Sequence, residues 1–290
     1  MMLDHLRVIE PQPGILAFYD GRVAGHRFAD GPNWVDDGAL SLGVASYALI
    51  AGDQAIVYDT HVSVPHGRFI RAELQRRGVR HLRVVLSHWH LDHVAGTEAF
   101  AGCEVIANLR TEAHLRQRKA AIEVGTDHGL PAICPLILPD TLFDGRLVLD
   151  LGGAPVELLT CNIHSDDATV IWLPQRRVLL AGDTVEDCVT YVGEPEAFAT
   201  HLADLARLQA LGADWVLPNH GSDAVIAAGG YGPGLLAATV EYIGQLQRGA
   251  PEAMADAIAP WLADGTLRYF APYEAVHRQN LQRVAEVRGD

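Results

Sequence analysis

Apolar positions along the chain fall into short runs of two kinds. Residues 14–19, 45–51, 55–58 and 82–86 are apolar stretches of strand length, and Gly52-Asp53-Gln54 reads as the turn of a hairpin between the second and third. Residues 67–77 carry Phe69, Ile70 and Leu74 with arginines between them and close on Gly78, which predicts an amphipathic helix. Helical character is also read from 94–100, a strand from 103–107 and a helix from 111–123. The runs around Leu147, Val156, Val170 and Val178 follow in close succession, divided by Gly152-Gly153, by 164–167 and by Pro174-Gln175. That spacing predicts a meander forming a second sheet. A helix over 196–211 and a strand over 213–219 come next; after the breaker 229–234, helices are predicted at 235–247, 251–263 and 272–287.

Two stretches break the periodicity. Residues 20–38 are polar, glycine-rich and too long for a turn, so they form either a flap over a pocket or a surface wrap, with Trp34 touching substrate or anchoring the wrap to the core. Residues 125–138, punctuated by Pro131 and Pro135, form a second loop.

Composition narrows the function classes. A chain of 290 residues that is 49% hydrophobic and 20% charged has the content of a globular protein with a sizeable core. Its net charge of -14, with Lys119 as the one lysine, opposes a nucleic-acid partner, which needs clustered cations. The four cysteines, Cys103, Cys134, Cys161 and Cys188, are widely spaced and read as reduced thiols. Residues 1–7 lack the apolar core of a secretion leader, and no run is long enough to span a bilayer, so the expectation is a cytoplasmic protein without a membrane partner.

The chemistry concentrates in Ser87-His88-Trp89-His90-Leu91-Asp92-His93, between a strand and a helix start. In an extended segment His88 and His90 share a face while Trp89 points away, and Asp92 and His93 turn with the chain toward a different point. Two pairs of donors suit two neighbouring ions better than one. Further candidates follow other apolar runs: His164, Asp183 after Gly182, and His220 between Asn219 and Gly221. A sheet presents such residues from its loop edge. The remaining histidines, His61 and His66 included, lack partners at metal spacing and read as surface or hydrogen-bonding imidazoles.

With these residues in place the chain resembles the metallo-β-lactamase superfamily, and within it the binuclear branch of glyoxalase II-type thioesterases and lactonases. The resemblance runs from the strand ending in Asp59-Thr60 to His220. It implies a four-layer αββα sandwich over residues 1–230, with 231–290 as a helical C-terminal extension packed on the same domain. It further implies that His88, His90 and His164 hold one metal, that Asp92, His93 and His220 hold the other, that Asp183 bridges them, and that Asp59 supports a ligand from behind. Zn²⁺ suits the imidazole-rich set, and Fe or Mn tolerate it. In the lactonases a tyrosine shortly after the bridging aspartate polarises the substrate; here position 186 is Glu and Tyr191 lies eight residues on. Trp34, Tyr191 and His277 are the candidate substrate contacts.

The expected function is a binuclear metallo-hydrolase in which a metal-bridging hydroxide cleaves an ester, lactone or thioester of a small molecule, Asp92 moving the proton. A weak β-lactamase activity is compatible, although the family's β-lactamases proper generally lack the bridging aspartate. The alternative is a mononuclear iron dioxygenase acting on sulfur compounds, which would leave the second set of donors idle. Oligomeric state has no signature in the sequence.

Overall fold

The alternating runs become two sheets in the computed structural model, which describes residues 3–289. Met1 and Met2, part of the stretch read for a leader, and Asp290 lie outside the described residues. The chain divides into two compact units, one ending at Val156 and the other beginning at Glu157.

The first unit holds a seven-stranded sheet in sequence order. Strands β1 (Arg7–Gln12), β2 (Ile15–Asp20), β3 (Val44–Ala51) and β4 (Gln54–Tyr58) pair antiparallel. From β4 onward the pairing is parallel, through β5 (His81–Val85) and β6 (Glu104–Asn108) to β7 (Thr141–Phe143). Parallel neighbours need crossovers, and helices supply two of them. Helix α1 (Val64–Arg76) starts three residues before the predicted point, because Ser63 caps it and Pro65 fits the first turn. Helix α3 (Leu109–Glu123) is capped by Asn108, whose side chain accepts from the amides of Arg110 and Thr111. Between β5 and β6 the predicted helix is two short pieces, α2 (Leu91–Val94) and a 3₁₀ turn (Thr97–Phe100), separated at Gly96.

One face of this sheet makes the main core of the unit. Leu16, Phe18, Val57 and Val84 from the strands and Leu86 just past β5 pack with Ile70 and Leu74 of α1 and with Leu115 and Ile122 of α3. Each such side chain contributes about 1.5–3 kcal/mol relative to exposure. Gly96 is required where the 3₁₀ turn meets the loop after β4, since a Cβ there would stand 2.0 Å from the Thr60 carbonyl oxygen.

Strand β1 was not predicted, and its side chains are mostly half-buried or exposed, as on the edge of a sheet. The 20–38 loop is ordered by buried Asp36 within a π-helical turn (Val35–Leu40). Burial pushes its carboxyl upward, but hydrogen bonds from Asn33 Nδ2 and the Phe28 and Ala29 amides, with Arg27 beside it, hold it below the usual carboxylate range.

The predicted meander is β8 (Arg146–Leu151), β9 (Ala154–Ile163), β10 (Ser165–Leu173) and β11 (Val178–Gly182), with the unit boundary inside β9. Strand β12 (Trp215–Pro218) joins β11 in parallel to give the order β12-β11-β10-β9-β8. Helix α4 (Phe198–Ala210) makes that parallel connection. A short helix α5 (Asp223–Ala227) follows, then α6 (Gly234–Arg248). The single helix expected over 251–263 is two, α7 (Met254–Ala257) and α8 (Ala259–Ala263), because Pro260 has no amide to continue the ladder. Helix α9 (Tyr273–Arg288) ends the described chain. Among the described residues no helix is long and apolar enough to cross a membrane.

Candidate metal centre

In the first unit the donors stand just past β5. The extended backbone there sets His88 Nε2 2.8 Å from His90 Nδ1, so the two rings address one point. His90 then caps α2, which carries Asp92 in its first turn and His93 in its last, and His93 Nε2 lies 3.4 Å from Asp92 Oδ2. These are the two pairs read from the sequence. Trp89 turns the other way into the core, with the Arg118 guanidinium 4.1 Å from its ring centroid.

Two neighbours fix these imidazoles. Asp59, fully buried at the end of β4, faces His93 Nδ1 with Oδ2 at 3.0 Å and accepts the Ser87 amide on Oδ1 at 2.7 Å. Ser87 Oγ lies 2.8 Å from His88 Nδ1. Contacts to Nδ1 leave Nε2 of both rings as the outward donor. Asp59 adopts a left-handed backbone with φ 65°.

In the second unit His164 sits at the apex between β9 and β10, again left-handed with φ 70°. Asp183 follows β11, and His220 follows Asn219 at the end of β12. One oxygen of Asp183, Oδ2, lies 3.6 Å from His164 Nε2 and 3.3 Å from His220 Nε2. All three residues are buried.

The donor chemistry fits a cation. Neutral imidazoles and carboxylates are the ligands that Zn²⁺, Fe and Mn accept. The separations of 3.3, 3.4 and 3.6 Å exceed hydrogen-bond length. Two ligand atoms on one tetrahedral ion, at bonds of 2.0–2.2 Å, stand about 3.3–3.6 Å apart. Asp183 Oδ2 stands within 3.6 Å of both imidazole nitrogens.

Of the residues expected to touch substrate, Trp34 is half-buried and donates its indole N–H to the Pro131 carbonyl at 2.9 Å, tying the 20–38 loop to the 125–138 loop. Tyr191 is also half-buried, its ring edge-on to His164 at 5.6 Å between centroids. Burial raises its hydroxyl pKa against the opposing effect of Arg283. His277 is fully buried and both its ring nitrogens face protein atoms, Nδ1 to Tyr242 Oη and Nε2 to the Pro251 carbonyl, each at 2.8 Å, so it braces the helical segment. His61 and His66 are buried rather than on the surface, stacked at 4.4 Å, and His66 is held by Asp20 and Ser63.

The sequence reading notes Glu186 only as standing where a lactonase tyrosine is expected and does not place it behind His164. Glu186, buried three positions after Asp183, brings Oε1 to 3.5 Å from His164 Nδ1. Its other contacts come from Thr190, Tyr191 and Tyr273. A carboxylate so close after a candidate ligand was the available signal.

Each unit carries a sheet with helices, and in each unit histidine and aspartate side chains gather at strand ends. A family model described as the metallo-beta-lactamase superfamily matches residues 41–267, and the chain belongs to that superfamily. Its fold is similar to that of the metallo-beta-lactamase from Pontibacter korlensis, with a TM-score of 0.63 at 18% identity over 83% of this chain and 99% of that one. It is 29% identical over 166 residues to hydroxyacylglutathione hydrolase from Ruegeria pomeroyi, covering 56% of this chain and 58% of that protein. It is 25% identical over 214 residues to linear primary-alkylsulfatase from a Pseudomonas species, covering 59% of this chain and 40% of that protein. The chain thus spans less than two thirds of the length of the last two, the hydroxyacylglutathione hydrolase and the alkylsulfatase.

Proposed function

We propose that the protein is a binuclear metal-dependent hydrolase that cleaves an acyl bond, an ester, lactone or thioester, in a small molecule. In this reading His88, His90 and His164 bind one divalent ion, Asp92, His93 and His220 bind the other, and Asp183 is shared. Residues 1–230 serve as the catalytic domain, and 231–290 extend it. Zn²⁺ is the proposed metal, at two per chain. The observation that carries the reading is the Asp183 oxygen set between the Nε2 atoms of His164 and His220. A relative named hydroxyacylglutathione hydrolase supports it, and one named alkylsulfatase supports hydrolysis more generally.

Bound divalent ions supply a water nucleophile at neutral pH and an electrophile for the carbonyl oxygen. The chain's own groups do the rest. Asp92, the donor with a partly exposed carboxylate, takes the proton and returns it to the leaving atom. Asp59 keeps the His93 ring turned to its task, and Tyr191 lines the acyl group beside His164. No serine or cysteine nucleophile is needed; burial pushes the Cys161 thiol up to about 12, far from a thiolate at neutral pH.

The test is a panel of lactones, thioesters, aryl esters, β-lactams, sulfate esters and phosphodiesters assayed with zinc-loaded protein, beside metal analysis after anaerobic purification. Turnover of an acyl substrate with two zinc ions per chain is expected. One iron per chain with oxygen uptake on a sulfur substrate would replace this reading by the dioxygenase one.

A further inference from the structure

A buried carboxyl group must find donors or a charge partner, because desolvation costs several kcal/mol otherwise. Glu186 is such a group, 2% exposed within the second unit. Oε1 accepts from the Tyr191 amide at 3.1 Å and from Thr190 Oγ1 at 3.3 Å, and Oε2 accepts from Tyr273 Oη at 3.0 Å. Oε1 also lies 3.5 Å from His164 Nδ1, beyond hydrogen-bond length but in reach of a charge contact, while the opposite ring nitrogen, Nε2, is 3.6 Å from Asp183 Oδ2.

The donors are themselves fastened to the C-terminal helix. Tyr273 is the first residue of α9 and is fully buried. Asn280, two turns on, donates Nδ2 to the Thr190 carbonyl at 2.9 Å and accepts the Val192 amide at 2.8 Å. The segment from Asp183 to Val192 is therefore pinned to α9 at both the side chain of Glu186 and the backbone beyond it. Helix α9 begins after residue 267, where the family match ends, so this support belongs to the chain's own extension.

We propose that Glu186 is a positioning residue for His164 and that α9, through Tyr273, holds it in place. This rests on His164 being a metal ligand. A carboxylate opposite Nδ1 selects the tautomer with its hydrogen on Nδ1, which leaves the lone pair on Nε2 for the ion and fixes the ring plane. Asp59 stands opposite His93 Nδ1 in the same way but closer, at 3.0 Å and within hydrogen-bond length. Glu186 gives its counterpart in the second unit, and the C-terminal extension becomes part of the metal site's support.

The experiment compares wild type with Glu186→Met, which keeps volume and removes the acceptors, Glu186→Gln, which keeps one, and Tyr273→Phe. Zinc affinity is read by competition with a chromophoric chelator, the cobalt-substituted proteins by their visible spectra, and the metal-free proteins by thermal melting. The expected result is a loss of zinc affinity of about 10–100-fold for one ion in Glu186→Met with an altered cobalt spectrum. Glu186→Gln should restore most of both, and Tyr273→Phe should shift both in the same direction by less. Should Glu186→Met fail to fold, the other two variants decide. Wild-type affinity and spectrum in every variant that folds would overturn the proposal while leaving the metal reading intact. A wild-type chain that takes up neither zinc nor cobalt would overturn both.

Discussion

Asp59 Oδ2 stands 3.0 Å from His93 Nδ1, and the same carboxylate anchors the turn through the Ser87 amide. Replacing it by asparagine keeps an acceptor for Ser87 and removes the charge that orients the imidazole. Zinc affinity should fall by about 10–100-fold with the fold retained. Asp59→Leu should also destabilise the chain by about 1–3 kcal/mol, because the Ser87 amide is orphaned. Chelator competition and urea denaturation separate the two effects; an Asp59→Asn variant with unchanged zinc affinity would show that the aspartate only builds the turn.

Metal removal should act on stability as well as on turnover. Exhaustive chelation is expected to abolish hydrolysis and zinc to restore it. An ion present at 100 times its dissociation constant stabilises the folded chain by about 2.7 kcal/mol, which raises the melting temperature by roughly 5–10 °C. Asp183→Ala should lower both zinc stoichiometry and turnover, and full turnover in that variant would show the shared-ligand role to be misassigned.

Gly96→Ala tests the close approach between the turn after α2 and the loop after β4. Its Cβ would meet the Thr60 carbonyl at 2.0 Å, and that carbonyl is backbone that cannot rotate away. Thr60 is hydrogen-bonded to the His93 carbonyl through both its amide and its hydroxyl, so displacement carries to the donors. A loss of about 1–3 kcal/mol is expected in chemical denaturation, with weaker zinc binding as its companion.

His201 gives a pH dependence with a definite sign. Burial, reinforced by His164 and opposed by Asp204 and Glu196, pushes its imidazole down to about 4. Unfolded, it titrates near 6.5, so the unfolded chain binds the extra proton first as pH falls. Stability should therefore decline between about pH 6.5 and pH 4 and then level off. Glutamine at 201, able to keep the contact to Asn162 Oδ1, should shrink the difference between urea midpoints at pH 7.5 and pH 5. An unaltered difference would assign the acid sensitivity elsewhere.

The clustering of side chains after β5 was legible because its signal is local. The pairing of His88 with His90, and of Asp92 with His93, follows from an extended segment running into a helix, which six residues suffice to encode. The meander was legible from its turns. Strand β1 was not, because an edge strand with half its side chains in water has little apolar pattern. The meeting of Glu186 and Tyr273 was hidden for another reason. They are 87 positions apart, and nothing in the periodicity of α9 tells that its first tyrosine meets a carboxylate after β11. Tertiary contacts between polar groups leave no period in the sequence.

His164 and Asp59 both hold backbone angles that glycine adopts freely and other residues adopt at a cost of about 1–3 kcal/mol. Evolution under selection for heat resistance alone, with no demand for turnover, should therefore drift toward asparagine at both positions, which enters this backbone region readily and at 59 keeps an acceptor for the Ser87 amide. On the proposed hydrolase reading the survivors would melt later and turn over less, and that divergence would mark these two sites as places where robustness is exchanged for chemistry.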